Sequence, residues 1–150
     1  MTDHHLFLRH ACEQDLDAMA SLLRVLFSIE QDFTVDNRRQ QQGLQLMLEN
    51  PRGCVLVAEI SGVVVGMCTG QLTISTAEGG LSLLIEDVVV SPEWQRRGIG
   101  KRLILEISEW GKEKGAKRMQ LLADSNNERA LIFYKGLGWQ ITRLICLNKF

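Results

Sequence analysis

Apolar positions in this chain change period several times, and each change marks an element. Leu6-Phe7-Leu8-Arg9 reads as a first strand. Asp15 is a good N-cap, and Leu16, Met19, Leu23, Leu26 and Phe27 then fall on one helical face. The pattern breaks from Ser28 to Asp36. Asp36 or Asn37 opens a second helix with Leu44, Met47 and Leu48 on its buried side, ending at Asn50-Pro51. Val55 to Ala58 and Val63 to Thr73 read as a hairpin turning at Ser61-Gly62, with Gly66 and Gly70 marking a bulge or a close approach. Ile74 to Gly80 is a loop of small residues, and Leu81 to Val90 is the next strand. Strict alternation puts Leu84, Glu86, Val88 and Val90 on one face of that strand, and Ile85, Asp87 and Val89 on the other.

Ser91-Pro92 stops the strand, because proline has no N–H for the ladder. Ile99, Leu103, Ile107 and Trp110 follow at helical spacing, and Gly115 ends that helix. Lys117 to Ala123 is a strand. Asn126 or Asn127 caps a short helix carrying Ala130, Phe133 and Leu137, which Gly136 and Gly138 end. Trp139 to Ile141 and Arg143 to Leu147 are expected as two further short strands. The order is β-α-α-β-β-β-α-β-α-β-β, a mixed α/β chain with an antiparallel first half and one parallel crossover.

At 150 residues, 1–150 reads as a single domain. Hydrophobic residues make up 45% and charged residues 23%, as in an ordinary soluble domain. A net charge of -1 argues against nucleic acid as a partner. No apolar run reaches the length of a membrane span, and no signal peptide is visible, so no membrane is involved and a cytoplasmic location is expected. The four cysteines show no metal-ligand spacing, and three of them sit in apolar or strand-like surroundings that suit small core residues. No metal is expected.

The chemistry begins at Gln95-Arg96-Arg97-Gly98-Ile99-Gly100. A glycine-bearing loop that opens a helix presents free N–H groups and the positive end of the helix dipole, which bind phosphate oxygens. Arg96, Arg97, Lys101 and Arg102 concentrate positive charge there. The loop is neither a G-x-G-x-x-G fingerprint nor a P-loop. Alone, it says anion, and phosphate in particular.

The loop fits Q/R-x-x-G-x-G/A. Downstream, Asn127-x-x-Ala130-x-x-Phe133-Tyr134-x-x-x-Gly138-Trp139 follows at a distance of one helix and one strand. Together these resemble the two halves of the signature of the GNAT superfamily of acyl-CoA N-acyltransferases, most strongly over residues 81 to 140. The resemblance implies a GNAT fold: α/β, with a mixed, mostly antiparallel central sheet splayed between its fourth and fifth strands and about four helices. It also implies acetyl transfer from acetyl-CoA to a primary amine, first of all on a small molecule, by direct attack in a ternary complex. A protein acceptor (lysine or N-terminal) and a non-catalytic acyl-CoA-binding module are the alternatives. A homodimer is compatible, since dimers are common among similar proteins.

By the same resemblance, Gln95, Arg96, Arg97, Gly98, Ile99, Gly100 and Lys101 hold the pyrophosphate. Val88, Val89 and Val90 give main-chain contacts to the pantetheine arm, and Asn127, Ala130 and Phe133 complete the donor site. Gln95 departs from the commoner arginine, at a contact that is largely backbone. Tyr134 matches the tyrosine that protonates the departing thiolate. An ammonium of pKa near ~10.4 costs roughly 4–5 kcal/mol to deprotonate at pH 7, so a base is useful. Glu86, placed by alternation beside Val88 and Val90, is the candidate, and Asp87, on the opposite face, is read as structural. Glu30, Asp32, Phe33 and Thr76 are expected around the acceptor amine, where carboxylates near an aromatic suit a cation.

Overall fold

The strand Gly53–Ile60 (β2) is apolar at almost every position because it is covered on both faces. Cys54, Leu56 and Ala58 join one buried cluster, and Val55 and Val57 join another. The computed structural model describes residues 5–29 and 35–150. Within them the sheet runs in the order Leu6–His10 (β1), β2, Val63–Ser75 (β3), Gly80–Val90 (β4) and Ala116–Leu121 (β5). The first three pairings are antiparallel and β4–β5 is parallel. Leu16–Ile29 (α1) and Asn37–Glu49 (α2) cover one face, and Ile99–Glu113 (α3) covers the other. Glu128–Gly136 (α4) follows β5. Among the described residues no helix is long and apolar enough to cross a membrane.

α3 lies close to the sheet because Gly70 lets it. A Cβ at Gly70 would stand 2.8 Å from Ile107 Cδ1 and 3.0 Å from Leu83 Cδ1, and both side chains are fully buried. Gly70 therefore marks a close approach, whereas Gly66 adjoins a bulge, where Val65 is an extra residue between the Ala58–Gly66 and Glu59–Val64 pairs, and β3 continues through both. Two expectations need correction here. β3 and β4 stay paired out to Ser75 and Gly80, so the anticipated loop from Ile74 shrinks to a four-residue turn. Segment 139–150 forms no helix or strand, so neither of its two expected strands is present. Of the cysteines, Cys54 and Cys68 are core residues, and Cys12 and Cys146 are exposed.

Asp15 does not cap α1 forward. It ends a one-turn 3-10 helix, Glu13–Asp15, and its carboxylate accepts from the Cys12 N–H at 2.9 Å. It also takes both Arg9 guanidinium nitrogens, at 2.7 and 2.9 Å, while Arg9 Nε donates to Glu59 at 2.7 Å. These bonds tie α1 to β1 and β2. The Arg9 guanidinium pulls the Asp15 carboxyl down from 3.8 to about 2, against the cost of burial. A carboxyl whose folded pKa is depressed adds stability above its unfolded pKa and loses it as pH falls through the folded value. Asp15→Asn is expected to cost about 1–2 kcal/mol at pH 7, after screening by solvent at the partly exposed Arg9. The gap from wild type should close between about pH 5 and pH 2 in urea melts. A constant gap across that window would separate Asp15 from acid stability.

Candidate active site

β4 loses its alternation at Asp87. Thr69 pairs with Glu86 but Met67 pairs with Val89, so β4 carries one residue more than β3 across the same interval. Asp87 absorbs the extra residue with φ +54, an unusual value for a residue with a Cβ. The consequence corrects the expected faces. Val88 and Val90 pack into the α3-side cluster with Ile99, Leu103, Phe133 and Tyr134. Val89 is buried in the α1/α2-side cluster. Glu86 lines a cavity on the α1/α2 side, so it does not share a face with Val88 and Val90. Asp87 lines the same cavity rather than pointing away from Glu86.

That cavity holds about 310 Å³. Leu23 and Phe27 of α1 and Leu44 and Met47 of α2 form apolar walls, and Thr69, Gln71, Glu86 and Asp87 of the sheet supply polar groups. Thr69 Oγ1 stands 3.1 Å from Asp87 Oδ2 and 3.2 Å from the Glu86 carbonyl oxygen. Its single proton serves one of them at a time. Burial, and then the neighbouring Glu86 charge, push the Asp87 carboxyl up from 3.8 to about 6, with the Thr69 hydroxyl opposing them. The sequence reading missed Asp87, Thr69 and Gln71. A buried Thr69 on an apolar strand was the available signal, and the bulge that turns Asp87 inward left none within β4 itself.

On its other side β4 is open. Its pairing with β5 runs from Leu81–Ala116 to Ile85–Leu121 and stops there, so the Glu86–Val90 backbone has no strand partner on that edge among the described residues. The loop from Gln95 follows. Arg96 and Gly98 have φ of +63 and +80, and such left-handed residues in a loop turn successive N–H groups toward one concavity. Gly98 is also the N-cap of α3, and nothing lies within 4 Å of the place its Cβ would take. Gln95 Nε2 donates to the Val90 carbonyl at 3.0 Å, fastening the loop to the end of β4. The Arg97 guanidinium sits 4.7 Å over the Trp94 ring. Arg96 and Lys101 are exposed.

α4 closes this side. Asn127 is its N-cap, accepting from the Ala130 N–H at 3.1 Å. Phe133 reaches the start of α3, its Cζ 3.4 Å from where a Gly100 Cβ would stand. Tyr134 packs edge-on against Phe133, with ring centroids 5.1 Å apart, and faces Trp139 at 6.3 Å. The loop, Val88, Val90, Phe133 and Tyr134 are thus gathered beside the open edge of β4. Thr76 is not: it sits in the exposed β3–β4 turn, and the six strand steps from Gly80 to Glu86 put it about 20 Å from Glu86 along the strand. Glu30, Asp32 and Phe33 lie outside the described residues. No group of three metal-ligating side chains occurs among the described residues.

Residues 16–139 match the Acetyltransferase (GNAT) family. The chain is 30% identical over 145 residues to the thialysine N-epsilon-acetyltransferase of Bos taurus, covering 90% of this chain and 84% of that protein. It is 33% identical over 81 residues to the glucosamine 6-phosphate N-acetyltransferase of Trypanosoma brucei brucei, covering 53% of each. Among solved structures, a transcriptional regulator from Bacillus halodurans C-125 superposes with a TM-score of 0.86 at 25% identity, covering 97% of this chain and 100% of that one. An aminoglycoside N-acetyltransferase in complex with CoA reaches 0.85 at 19% identity over 98% and 95%, a likeness of fold. The family match takes in the bulge, the open edge of β4, the glycine-bearing loop from Gln95 and Tyr134 together, and the chain belongs to the GNAT family of acetyltransferases.

Proposed function

We propose that the protein transfers an acetyl group from acetyl-CoA to a primary amine of a small molecule, by direct attack with both substrates bound. The observation that carries this reading is the bulge at Asp87, which sets a carboxylate-lined cavity on one side of β4 against a phosphate-type loop and an open strand edge on the other. Residues Gln95 to Lys101 fit the pyrophosphate: left-handed turns, a basic surround and empty space over Gly98. Asn127, Ala130 and Phe133 border the same side.

The acceptor ammonium sits at the Glu86–Asp87 floor of the cavity, and its apolar portion lies against Phe27, Leu44 and Met47. The carboxylate pair takes its proton. The freed lone pair attacks the thioester carbonyl carbon. The Val88 N–H faces the carbonyl oxygen and offsets its growing negative charge. As the C–N bond forms and the C–S bond breaks, the Tyr134 hydroxyl gives a proton to the CoA thiolate, a phenol of pKa near ~10 serving a thiol near ~8.5. A cavity of about 310 Å³ suits a small amine. The names of the two curated relatives, thialysine and glucosamine 6-phosphate acetyltransferases, point to acceptors of this size.

The test is release of CoA thiol from acetyl-CoA over a panel of diamines, amino acids and amino sugars. Acceptor-dependent release is expected for at least one small amine, with initial-velocity plots that intersect. Thermal stabilisation by acetyl-CoA without release on any amine would favour the non-catalytic binding module instead.

A further inference from the structure

Arg39 and Gly43 of α2 also line the cavity, and the chemistry above uses neither. They stand one helical turn apart, with Met47 one turn further on, so the three form one stripe along the cavity wall. Gly43 interrupts that stripe. It is the seventh of the thirteen residues of α2, where glycine weakens a helix relative to alanine. Neither packing nor conformation asks for it: nothing lies within 4 Å of the place its Cβ would take, and it has no positive φ. What the missing side chain leaves is a gap in the wall of the cavity.

Charge is divided across the same cavity. Arg39 is the one cation among the described residues that line it, and Glu86 and Asp87 are the anions. Arg39 is exposed in the first turn of α2, whereas the two carboxylates are half-buried on β4, so the charges mark an outer and an inner end. Gly43 is about 6 Å along the helix axis from Arg39. The guanidinium is held only weakly within the protein. Its ion pair with Asp36 is 3.6 Å long on a side chain 79% exposed, and the other Asp36 oxygen caps α2 by accepting the Arg39 N–H at 3.2 Å. A cavity lined by acids alone would suit a diamine. A guanidinium at its outer end repels a second ammonium and favours a carboxylate or phosphate, which it can take through two parallel N–H donors.

We propose that the acceptor carries an anionic group, carboxylate or phosphate, as well as its primary amine, and that Arg39 binds this group while the stem crosses the gap at Gly43 to Glu86 and Asp87. Built on the amine acetylation inferred above, this assignment narrows the class of acceptor. Arg39 takes no proton and binds the anion alike before and during the reaction, so losing it raises KM more than it lowers kcat.

Two matched pairs of amines test the assignment and separate the two anions. Lysine and cadaverine differ by one carboxylate, and glucosamine 6-phosphate and glucosamine by one phosphate. In one pair wild type is expected to favour the anionic member by about 10- to 100-fold in kcat/KM. Arg39→Gln should bring that ratio close to one, chiefly through KM, and Arg39→Glu should invert it. Gly43→Ala should melt about 2–4 °C higher while raising the acceptor KM about 10-fold. The thermal shift of each variant with acetyl-CoA reports its folding. Calorimetric titration of the same pairs into the CoA-bound protein reads the anion without turnover. If no amine is acetylated, the acetyltransferase reading fails, and the ratios of Kd still decide this assignment. Ratios near one for both pairs in wild type overturn it. So does a preference that Arg39→Gln leaves intact, or an acceptor KM and Kd that Gly43→Ala leaves unchanged.

Discussion

Asp87→Asn is expected to lower kcat by about 100-fold while making the protein more stable at neutral pH, two effects of opposite sign from one atom pair. The activity loss follows from removing one of the two carboxylates proposed to take the ammonium proton. The stability gain follows from the raised carboxyl. A carboxyl whose folded pKa lies above its unfolded value, here about 6 against 3.8, favours the folded state below pH 4. That advantage disappears as pH rises through 6, where folding must hold a charge that burial disfavours. Asparagine carries no such charge, keeps an oxygen for the Thr69 hydroxyl, and accepts φ +54 as readily as aspartate does. The variant should therefore match wild type near pH 4 and exceed it by about 1–3 kcal/mol above pH 7. The acid limb of kcat/KM should also respond. In wild type it falls near pH 6. Glu86→Gln removes the neighbouring charge that helps raise Asp87, so its residual activity should titrate at lower pH. Wild-type kcat and an unchanged acid limb in Asp87→Asn would return Asp87 to a structural role.

This pair also shows where reading the sequence ran out. Helix faces and the order of elements along the chain depend on residues close in sequence, so the elements from β1 to α4 could be placed from spacing, and two helix starts narrowed to neighbouring pairs of which Asp36 and Asn127 are the caps, whereas Asp15 did not cap the helix expected of it. The anion loop was equally local, being glycines and basic residues at one helix start. A bulge is different. It is a register shift between two strands, and its signal is divided between Met67–Thr69 on β3 and Glu86–Val89 on β4. Period-2 counting carried straight through Asp87 and so placed Glu86 with the wrong valines and Asp87 on the wrong face. The cavity walls from α1 and α2 were invisible for a related reason: Phe27 and Met47 read correctly as apolar helix faces, but only packing decides that they face Glu86 across a gap. The strands expected after Trp139 follow the same logic. Their two-sided apolar pattern is a real strand signal, and the described residues of one chain supply no pairing for it.

Gly98→Asp should abolish the stabilisation of the protein by acetyl-CoA without unfolding it. For wild type, ligand at 100 times its Kd adds roughly 2.7 kcal/mol, which for a chain of this size is a rise in Tm of about 5–10 °C. Two properties of Gly98 make it the position to change. Its φ of +80 sets the turn that aims the loop N–H groups, and the space over its Cβ position is empty. A side chain there meets no protein atom, so the free variant folds with only the strain of a left-handed residue, about 1 kcal/mol and least for Asp and Asn. That strain is present with and without ligand and cancels from the shift. What remains is a carboxylate standing where a pyrophosphate would have to sit, against the helix dipole that favours the anion. Gly98→Asn separates the two causes, being the same size and equally tolerant of positive φ but uncharged. Asn should retain part of the shift and Asp none. If Asp and Asn lose it equally, bulk rather than charge governs the loop. If Asp shifts like wild type, the pyrophosphate does not bind at Gln95 to Lys101, and the donor must be sought elsewhere along the open edge of β4.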